Sequence, residues 1–364
     1  MILKSIELQN YRNYKELSLE LDKEINILYG DNAQGKTNIL EAVYVCGTTK
    51  SHRGSRDKEL IRFSEEEAHI RSILVKNEME YRIDMHLKKN KSKGIAVNGI
   101  PLKKASELYG IVNIVFFSPE DLNIIKNGPS ERRRFLDSEL CQLDKIYMYN
   151  LSNYNRIIAQ RNKLLKDSVY DRKLLETLPI WEEQLVSYGK EVIKRRRIFI
   201  AKLNEIVVDI HRKLSGGKER LILNYENNAD EGNFLEMLEV NREKDINFKN
   251  TSVGPHRDDI CFMIEGVDVR KYGSQGQQRT LALSLKLAEI ELVKKMIHDS
   301  PILLLDDVLS ELDSSRQKYL LDSIGNIQTI ITCTGLDEFI SNRFHINRVY
   351  LVKDGIVYSE NQTL

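Results

Sequence analysis

The feature that most constrains this chain is a glycine-containing segment near its N-terminus. It reads Gly30-Asp31-Asn32-Ala33-Gln34-Gly35-Lys36-Thr37 and matches the phosphate-loop pattern in full. An apolar run precedes the segment and another follows it, so we expect a strand, the loop and a helix in that order. In such a loop backbone N–H groups cradle a phosphate, Lys36 contacts the β and γ phosphates, and Thr37 offers Mg²⁺ a hydroxyl ligand. The segment therefore predicts a nucleotide-binding site.

A second signal for the same site lies near the C-terminus. Residues 302–305 are a continuous apolar run closed by Asp306 and Asp307, which is typical of a parallel strand buried on both faces. We expect this strand to end beside the phosphate loop. Asp306 would then hold the hydration shell of Mg²⁺, and Asp307 would orient or deprotonate the attacking water. Taken alone, the two carboxylates are also compatible with capping of a following helix.

A third segment, residues 272–279, precedes a strongly apolar helix that we place at about residues 276–297. Ser274 is a suitable N-cap, and the glycines leave the helix N-terminus bare enough to face a phosphate. A plain capping box explains the same residues. Because the chain already has a complete phosphate cradle, a second phosphate-binding segment predicts a site shared between two subunits.

The order of periodicities predicts a discontinuous domain with an insertion. Residues 1–120 alternate like strands and contain an Asn98-Gly99 hairpin signal, and the C-terminal third returns to α/β character. Between them, helical periodicity predicts two helices of about 24 and 35 residues. We therefore predict an α/β domain, here called the head, with a mixed sheet and a flanking antiparallel sheet, from residues 1–120 and 219–364. Residues 121–218 form an inserted antiparallel helical lobe.

Charge is segregated along the chain although the net charge is only +1. Residues 121–220 contain 21 basic and 14 acidic residues, and the remainder contains 34 and 40. This excess is compatible with a surface for nucleic acid. No apolar stretch approaches the roughly 18 residues of a membrane span, and the N-terminus lacks a signal-peptide layout, so we expect a cytoplasmic protein without a membrane segment. The four widely spaced cysteines predict no disulfide framework.

Together with Ser310-Glu311-Leu312-Asp313, these motifs resemble those of the ATP-binding-cassette ATPases. Within that class the chain resembles the RecF family, bacterial DNA-repair proteins related to the SMC ATPases. The segments that carry this resemblance are Leu8-Gln9-Asn10-Tyr11-Arg12-Asn13-Tyr14, Ser51-His52-Arg53, Phe117-Ser118-Pro119-Glu120-Asp121-Leu122 and Gly254-Pro255-His256-Arg257-Asp258. The resemblance covers almost the whole chain and is weakest between about residues 140 and 250.

The resemblance implies an ATP-gated homodimer. Each ATP with its Mg²⁺ would be enclosed by Lys36 and Thr37 of one subunit and by Ser274, Gly276 and Gln277 of the other. Asp313 would belong to the loop that crosses between the two sites. The resemblance further implies a slow, DNA-stimulated ATPase that clamps double-stranded DNA near single-stranded gaps, works with a RecR-type mediator protein and helps to load recombinase.

Two other functions share some of these motifs. The ATPase subunit of a membrane transporter would also carry the phosphate loop and the signature residues Ser274, Gly276 and Gln277, but it would have a shorter insertion between Thr37 and Ser274. A nucleotide kinase would not need residues 274–277.

One departure from the cassette pattern concerns Asp307, where many relatives carry glutamate. The shorter side chain predicts slow hydrolysis. The strand at about residues 330–334 also lacks the switch histidine of many transporters.

Basic residues supply candidate DNA contacts. They are Lys88, Lys89, Lys91 and Lys93 before the Asn98-Gly99 turn, and Arg195 and Arg196 in the second long helix. A solvated charged face explains either cluster as well. Arg12 is a candidate for contact with the α phosphate or the base, with a surface salt bridge as the equal alternative.

Overall fold

The structure, a computed structural model, describes residues 1–336 and 346–360. Its contacts divide the chain into two compact units, Met1–Asp121 with Glu289–Leu364 and Leu122–Ala288. Among the described residues, no helix combines the length and the apolar character needed to cross a membrane.

The first unit begins with strands. Its elements up to residue 121 are β1 (Ile2–Tyr11), β2 (Tyr14–Glu20), β3 (Ile25–Tyr29), α1 (Lys36–Thr48), α2 (Asp57–Leu60), β4 (Glu67–Lys76), β5 (Met79–Lys88), β6 (Lys91–Val97), β7 (Ile100–Pro101) and β8 (Ile114–Phe117). An antiparallel sheet of order β2-β1-β4-β5-β6-β7 uses most of them. In β4, exposed and buried side chains alternate from Glu67 to Ser72, as the two-residue period of a strand requires.

The hairpin between β6 and β7 confirms the predicted turn. Asn98 and Gly99 have φ values of 51° and 80°, and Val97 pairs with Ile100 directly across the turn. Two consecutive residues with positive φ match the right-handed twist of the strands, which is why asparagine and glycine favour this position.

The second unit is mainly helical. Its elements are α3 (Leu122–Lys126), α4 (Pro129–Leu143), α5 (Lys145–Asp167), α6 (Leu178–Leu214), β9 (Leu221–Glu226), α7 (Phe234–Val240), α8 (Arg242–Phe248), β10 (Asp259–Ile264), β11 (Val267–Asp268), α9 (Val269–Tyr272) and α10 (Gln275–Ile297), whose last residues belong to the first unit. The two predicted long helices are α5 and α6, of 23 and 37 residues. An apolar core that includes Tyr154, Leu185 and Phe234 lies between helices of this unit.

The chain then completes the first unit with β12 (Ile302–Asp306), α11 (Ser314–Ile324), β13 (Thr329–Cys333), β14 (Arg348–Lys353) and β15 (Ile356–Glu360). These strands form a second sheet with β3 and β8, of order β15-β14-β3-β13-β12-β8. All its pairs are parallel except the β14–β15 hairpin. Every residue of β12 and β13 is buried, as predicted for a strand covered on both faces. The mixed sheet and flanking antiparallel sheet confirm the predicted fold class.

The boundary of the insertion differs from the predicted residue 219. Strands β9, β10 and β11 pair with one another in a separate three-stranded sheet and with neither sheet of the head. The second unit therefore runs to residue 288. The strand pattern of residues 221–264 suggested a return to the head because periodicity identifies a strand without identifying its sheet.

Candidate functional site

The phosphate loop connects β3 to α1, as predicted. Gly30 has φ of 143°, and a Cβ at this position would lie 2.3 Å from the carbonyl oxygen of Val352 in the neighbouring strand. Gly35, with φ of 110°, is enclosed in the same way by Asn13 and Tyr14. The ammonium of Lys36 donates to the carbonyls of Gly30 (2.6 Å) and Asp31 (2.7 Å), so it lies over the loop. The loop thus presents a cation and backbone donors at one end of the parallel sheet.

Thr37 and Asp306, 269 residues apart in sequence, meet beside this loop. The Thr37 hydroxyl donates to Asp306 Oδ1 at 2.8 Å, and the Thr332 hydroxyl donates to the same oxygen at 2.7 Å. The parallel register of β12 and β13 sets Asp306 opposite Thr332. Burial raises the pKa of Asp306, although both hydroxyl donors oppose this shift. A hydroxyl and a carboxylate form the hard oxygen donor set that Mg²⁺ prefers, so these residues fit that ion.

Asp307 follows with a backbone conformation that is rare for a residue with a side chain. Its φ is 53°, and its N–H donates to the carbonyl (3.2 Å) and the hydroxyl (3.0 Å) of Thr332. Ser310 Oγ donates to its carbonyl at 2.8 Å. Burial lowers the pKa of Lys36, and the carboxylate of Asp307 is the first of the charges that counteract this effect. Strained backbone of this kind occurs frequently where a side chain must be aimed at a ligand.

Arg12 forms an ion pair rather than standing free at the loop. Its Nε and Nη2 donate to the two oxygens of Glu41 at 2.7 Å each, and Nη2 also donates to Ser55. Glu41 is fully buried. Burial is the largest influence on the pKa of Glu41 and raises it, but hydrogen bonds from Arg12 and Ser51 together with the charge of Arg12 lower the pKa overall. Of the two predicted alternatives the structure contains the salt bridge, with a buried partner instead of a surface one.

The sequence did not predict three further residues at the loop, of which two donate to Gln34 and the third donates to one of these two. Asn13 Nδ2 donates to the carbonyl of Gln34 (3.2 Å), Asn38 Nδ2 donates to Asn13 Oδ1 (2.8 Å), and the N–H of Asp354 donates to Gln34 Oε1 (2.5 Å). Asn13 belongs to the first family-like segment, and Asp354 lies in the turn between β14 and β15. A pattern search could have found both as features of the chain, but only the sheet pairing places them at the loop.

The predicted signature residues cap α10 in the second unit. Ser274 Oγ accepts from the N–H of Gln277 (3.2 Å), and Gln277 Oε1 accepts from the N–H of Ser274 (2.9 Å), which is a reciprocal capping box. Gln277 Nε2 also donates to Glu219 (3.0 Å). A Cβ on Gly276 would have only Ser274 Oγ nearby, at 3.9 Å. The capping interpretation therefore holds within one chain, and Gly276 leaves the first turn open.

Asp313 has an equivalent capping role in the first unit. Its Oδ1 accepts from the N–H of Arg316 (3.0 Å) at the start of α11, and its Oδ2 accepts from the Arg316 guanidinium (2.6 Å). Half of its side chain remains exposed. The loop before α11 is thus held in place while the carboxylate stays at the surface.

Comparison with known proteins identifies the chain's relatives. The model of the RecF/RecN/SMC N terminal domain family matches residues 2–357. The "DNA replication and repair protein RecF" of Agathobacter rectalis is 64% identical over 357 residues, covering 98% of this chain and 99% of the relative. That of Clostridium perfringens strain 13 is 44% identical over 360 residues, covering 98% and 99%.

The chain belongs to the RecF family. Among solved structures, that of the recombination mediator protein RecF with ATP in the RecFOR pathway has a TM-score of 0.93 and 38% identity, covering 99% of this chain and 97% of that one. An SMC head bound to the C-winged helix domain of ScpA has a TM-score of 0.57 at 19% identity, covering 99% of this chain and 97% of that one, and shares the fold. The resemblance to RecF proteins of DNA replication and repair is confirmed, and the transporter alternative is superseded.

The candidate DNA-binding lysines of this RecF family member differ in how they are held. Lys88 pairs with Glu67 (3.3 Å), Lys89 with Glu66 (3.0 Å) and Lys93 with Asp57 (2.8 Å). Lys91 is exposed and forms no ion pair with any residue in the described ranges. Of this cluster, Lys91 is the residue most available to a phosphate.

Arg196 must be withdrawn as a DNA contact. Its side chain is only 2% exposed and binds Asp137 (2.7 Å), Asp258 (3.1 Å) and the carbonyl of Pro255 (2.6 Å). The neighbouring Arg195 pairs with Asp144. Residues 194–197 of α6 are Lys-Arg-Arg-Arg and span almost a full helical turn, so one of them must face inward. That residue is Arg196, which binds the buried carboxylate of Asp258.

Arg196 also binds two residues of the 254–258 segment, one of the segments that resemble the family. His256 lies beside it, with Nδ1 2.7 Å from the Tyr154 hydroxyl and Nε2 2.9 Å from the carbonyl of Thr251. Asp258 is fully buried and accepts from the backbone of Asn228. These residues therefore form a buried polar network inside the second unit.

Proposed function

We propose that this chain is an ATPase that dimerises when it binds ATP and thereby clamps duplex DNA next to single-stranded gaps. The observation that carries the proposal is the 2.8 Å contact between Thr37 and Asp306 beside the Lys36 ammonium. This is the arrangement needed to hold a triphosphate and its cation at a helix N-terminus.

The proposed chemistry divides among the residues of the loop and of β12. Lys36 leaves its two carbonyl acceptors to bind the β and γ phosphates, and the backbone of residues 30–37 surrounds them. Thr37 and Asp306 would hold Mg²⁺, and the ion would supply positive charge against the phosphate oxygens. Asp307 orients or deprotonates the attacking water. Its side chain is one methylene shorter than glutamate, which favours slow turnover suited to a timed release from DNA.

Dimerisation supplies the second half of each site. Ser274, Gly276 and Gln277 lie at the first turn of a 23-residue helix, where backbone N–H groups and the helix dipole attract an anion. We infer that this turn approaches the γ phosphate held by a second subunit. The exposed carboxylate of Asp313 would lie in the loop that crosses between the two sites.

The partners follow from the relatives. The solved relatives are described as recombination mediators of the RecFOR pathway, and the curated relatives as DNA replication and repair proteins. We therefore propose duplex and gapped DNA, a second copy of the chain and a RecR-type mediator as partners, and loading of recombinase in the cytoplasm as the outcome. DNA is expected to stimulate the slow hydrolysis.

Sedimentation velocity of the purified chain tests the dimer. We expect a monomer with ADP and a dimer with ATP and Mg²⁺. Asp307→Asn, which removes the base and keeps the side-chain size, should hold the dimer long after the parent has dissociated. Lys36→Arg should bind DNA poorly and hydrolyse ATP very slowly. Asp322→Asn, at an exposed position of α11, is the matched control and should behave as the parent. An Asp307→Asn protein that stays monomeric with ATP would contradict the proposal.

A further inference from the structure

Two histidines and a glutamate face one another on the antiparallel sheet of the first unit. His69 of β4 lies directly opposite His86 of β5, and Glu67 lies two residue pairs further along, opposite Lys88. Since side chains two residues apart share a face of a strand, Glu67, His69 and His86 all project from the same side of the sheet. All three are at least partly exposed.

Their potential ligand atoms are already close. One nitrogen of each ring and one oxygen of the carboxylate lie within 4.8 Å of one another. His86 Nε2 is 3.0 Å from Glu67 Oε2, and His69 Nε2 is 4.0 Å from Glu67 Oε1. The two rings stack with centroids 4.0 Å apart. Ligands of one tetrahedral zinc ion lie about 3.3 Å apart, given Zn–N bonds of about 2.0 Å, so small side-chain rotations suffice to bring them together.

We propose that Glu67, His69 and His86 bind one divalent transition-metal ion of the zinc, nickel and copper group. Two imidazole nitrogens and one carboxylate oxygen suit these borderline ions rather than Mg²⁺ or Ca²⁺, which prefer oxygen alone. His69 and His86 also line a groove of about 820 Å³ on this sheet. Water, or a ligand on a partner, can therefore complete the coordination from the groove.

Lys88 is the residue that competes with the ion. Its ammonium lies 3.3 Å from Glu67 Oε2, and both side chains are substantially exposed. An exposed ion pair of this kind contributes little free energy, so the ion displaces the ammonium at small cost. The bound ion joins two adjacent strands, and because it binds the folded state it stabilises the first unit.

Metal titration of the full chain tests the site. The protein is stripped with a chelator, kept free of ATP, which would itself bind the metal, and supplied with excess Mg²⁺ to occupy oxygen-only sites. Zn²⁺, Ni²⁺ and Cu²⁺ are then titrated separately in competition with a coloured chelator. We expect one ion per chain, and a rise in the unfolding temperature on addition of Zn²⁺.

Substitutions decide which residues bind the ion. His69→Ala and His86→Ala should each weaken binding by about ten-fold or more, since even outer-shell changes cost that much at metal sites. Lys88→Gln should strengthen it by freeing Glu67. The exposed His298 provides the matched control, and His298→Ala should bind as the parent does. Unchanged affinity in both His69→Ala and His86→Ala, with their circular dichroism unchanged, would overturn the proposal.

Discussion

Gly30 is placed so closely against the neighbouring strand that its lack of a side chain is structural. Its φ of 143° lies in a region that residues with side chains rarely adopt, and an added Cβ would lie 2.3 Å from a carbonyl oxygen of the backbone. Backbone cannot rotate away as a side-chain end can. Packing therefore requires glycine at the first residue of the phosphate loop, in addition to any requirement that a bound phosphate would impose.

We predict that Gly30→Ala destabilises the chain by more than about 2 kcal/mol, because overpacking and backbone strain add. Thermal unfolding followed by circular dichroism measures the change. Gly232, which is exposed and would have no heavy atom within 4 Å of an added methyl group, is the control. Gly232→Ala should stay within about 0.5 kcal/mol of the parent. Equal stability of the two variants would contradict the packing argument.

At the scale of elements, a buried arginine joins helices of the second unit. Arg161 of α5 donates to Asp245 of α8 (2.7 Å) and to Glu182 of α6 (2.8 Å), and all three side chains are fully buried. Arg161 also donates to the Thr251 hydroxyl (2.9 Å). Removal of the arginine would leave two buried carboxylates with too little positive charge.

We predict that Arg161→Met lowers the free energy of unfolding of the second unit by about 3–5 kcal/mol, the cost of breaking a buried ion pair on one side. Trp181, the only tryptophan of the chain, lies in α6 beside Glu182 and reports this unit by fluorescence. Arg156→Met changes an exposed arginine of α5, the helix that contains Arg161. It should change the free energy of unfolding by less than about 0.5 kcal/mol. A similar small effect for Arg161→Met would show that the helices pack without the ion pairs.

The loop segment 254–258 makes the same unit sensitive to pH. Burial lowers the pKa of His256 from its ordinary 6.5 to about 4, and nearby arginines add to this effect. The unfolded chain therefore binds a proton at a pH where the folded chain does not. The resulting stabilisation is complete above about pH 6.5 and is lost as the pH falls from 6.5 towards 4.

We predict that His256 contributes about 2 kcal/mol to the loss of stability between pH 7.5 and pH 5. Denaturant unfolding followed by Trp181 fluorescence at the two pH values measures it. His256→Gln should be less stable than the parent at pH 7.5 but should lose less on acidification. The exposed His298→Gln should lose as much as the parent does. Equal losses for His256→Gln and the parent would exclude this histidine as the cause.

At the scale of the whole molecule, the charges are less segregated than the sequence division suggested. The second unit as the structure bounds it contains 29 basic and 24 acidic residues, a net of +5, and the first unit has a net of −4. The buried arginines 132, 161 and 196 account for part of the excess. The DNA-binding prediction therefore depends on individual exposed residues more than on the total charge of a unit.

We predict that Lys91→Ala reduces the slope of log K against log salt for duplex DNA by about one, the value for one lost phosphate contact. Filter binding with ATP across a salt series measures the slope. Lys23→Ala removes an exposed charge elsewhere in the first unit and should leave the slope unchanged. An unaltered slope for Lys91→Ala would place the DNA on another surface.

The sequence by itself determined the elements and the chemistry that local patterns encode. The phosphate loop, the buried strand ending in Asp306, the Asn98-Gly99 turn and the two long helices all follow from side-chain periodicity and backbone preference over a few residues. The same patterns also predicted that Thr37 and Asp306 would meet, because the ends of parallel strands lie at one edge of a sheet.

Apart from the meeting of Thr37 with Asp306, only the tertiary structure decided which residues are partners across long separations. It paired Arg12 with Glu41, buried Arg196 against Asp258, joined β9 to β10 instead of to the head, and set His69 opposite His86. The physical reason is that charge and periodicity are properties of single segments. Burial, ion pairing and sheet membership arise only when two distant segments remove each other from water.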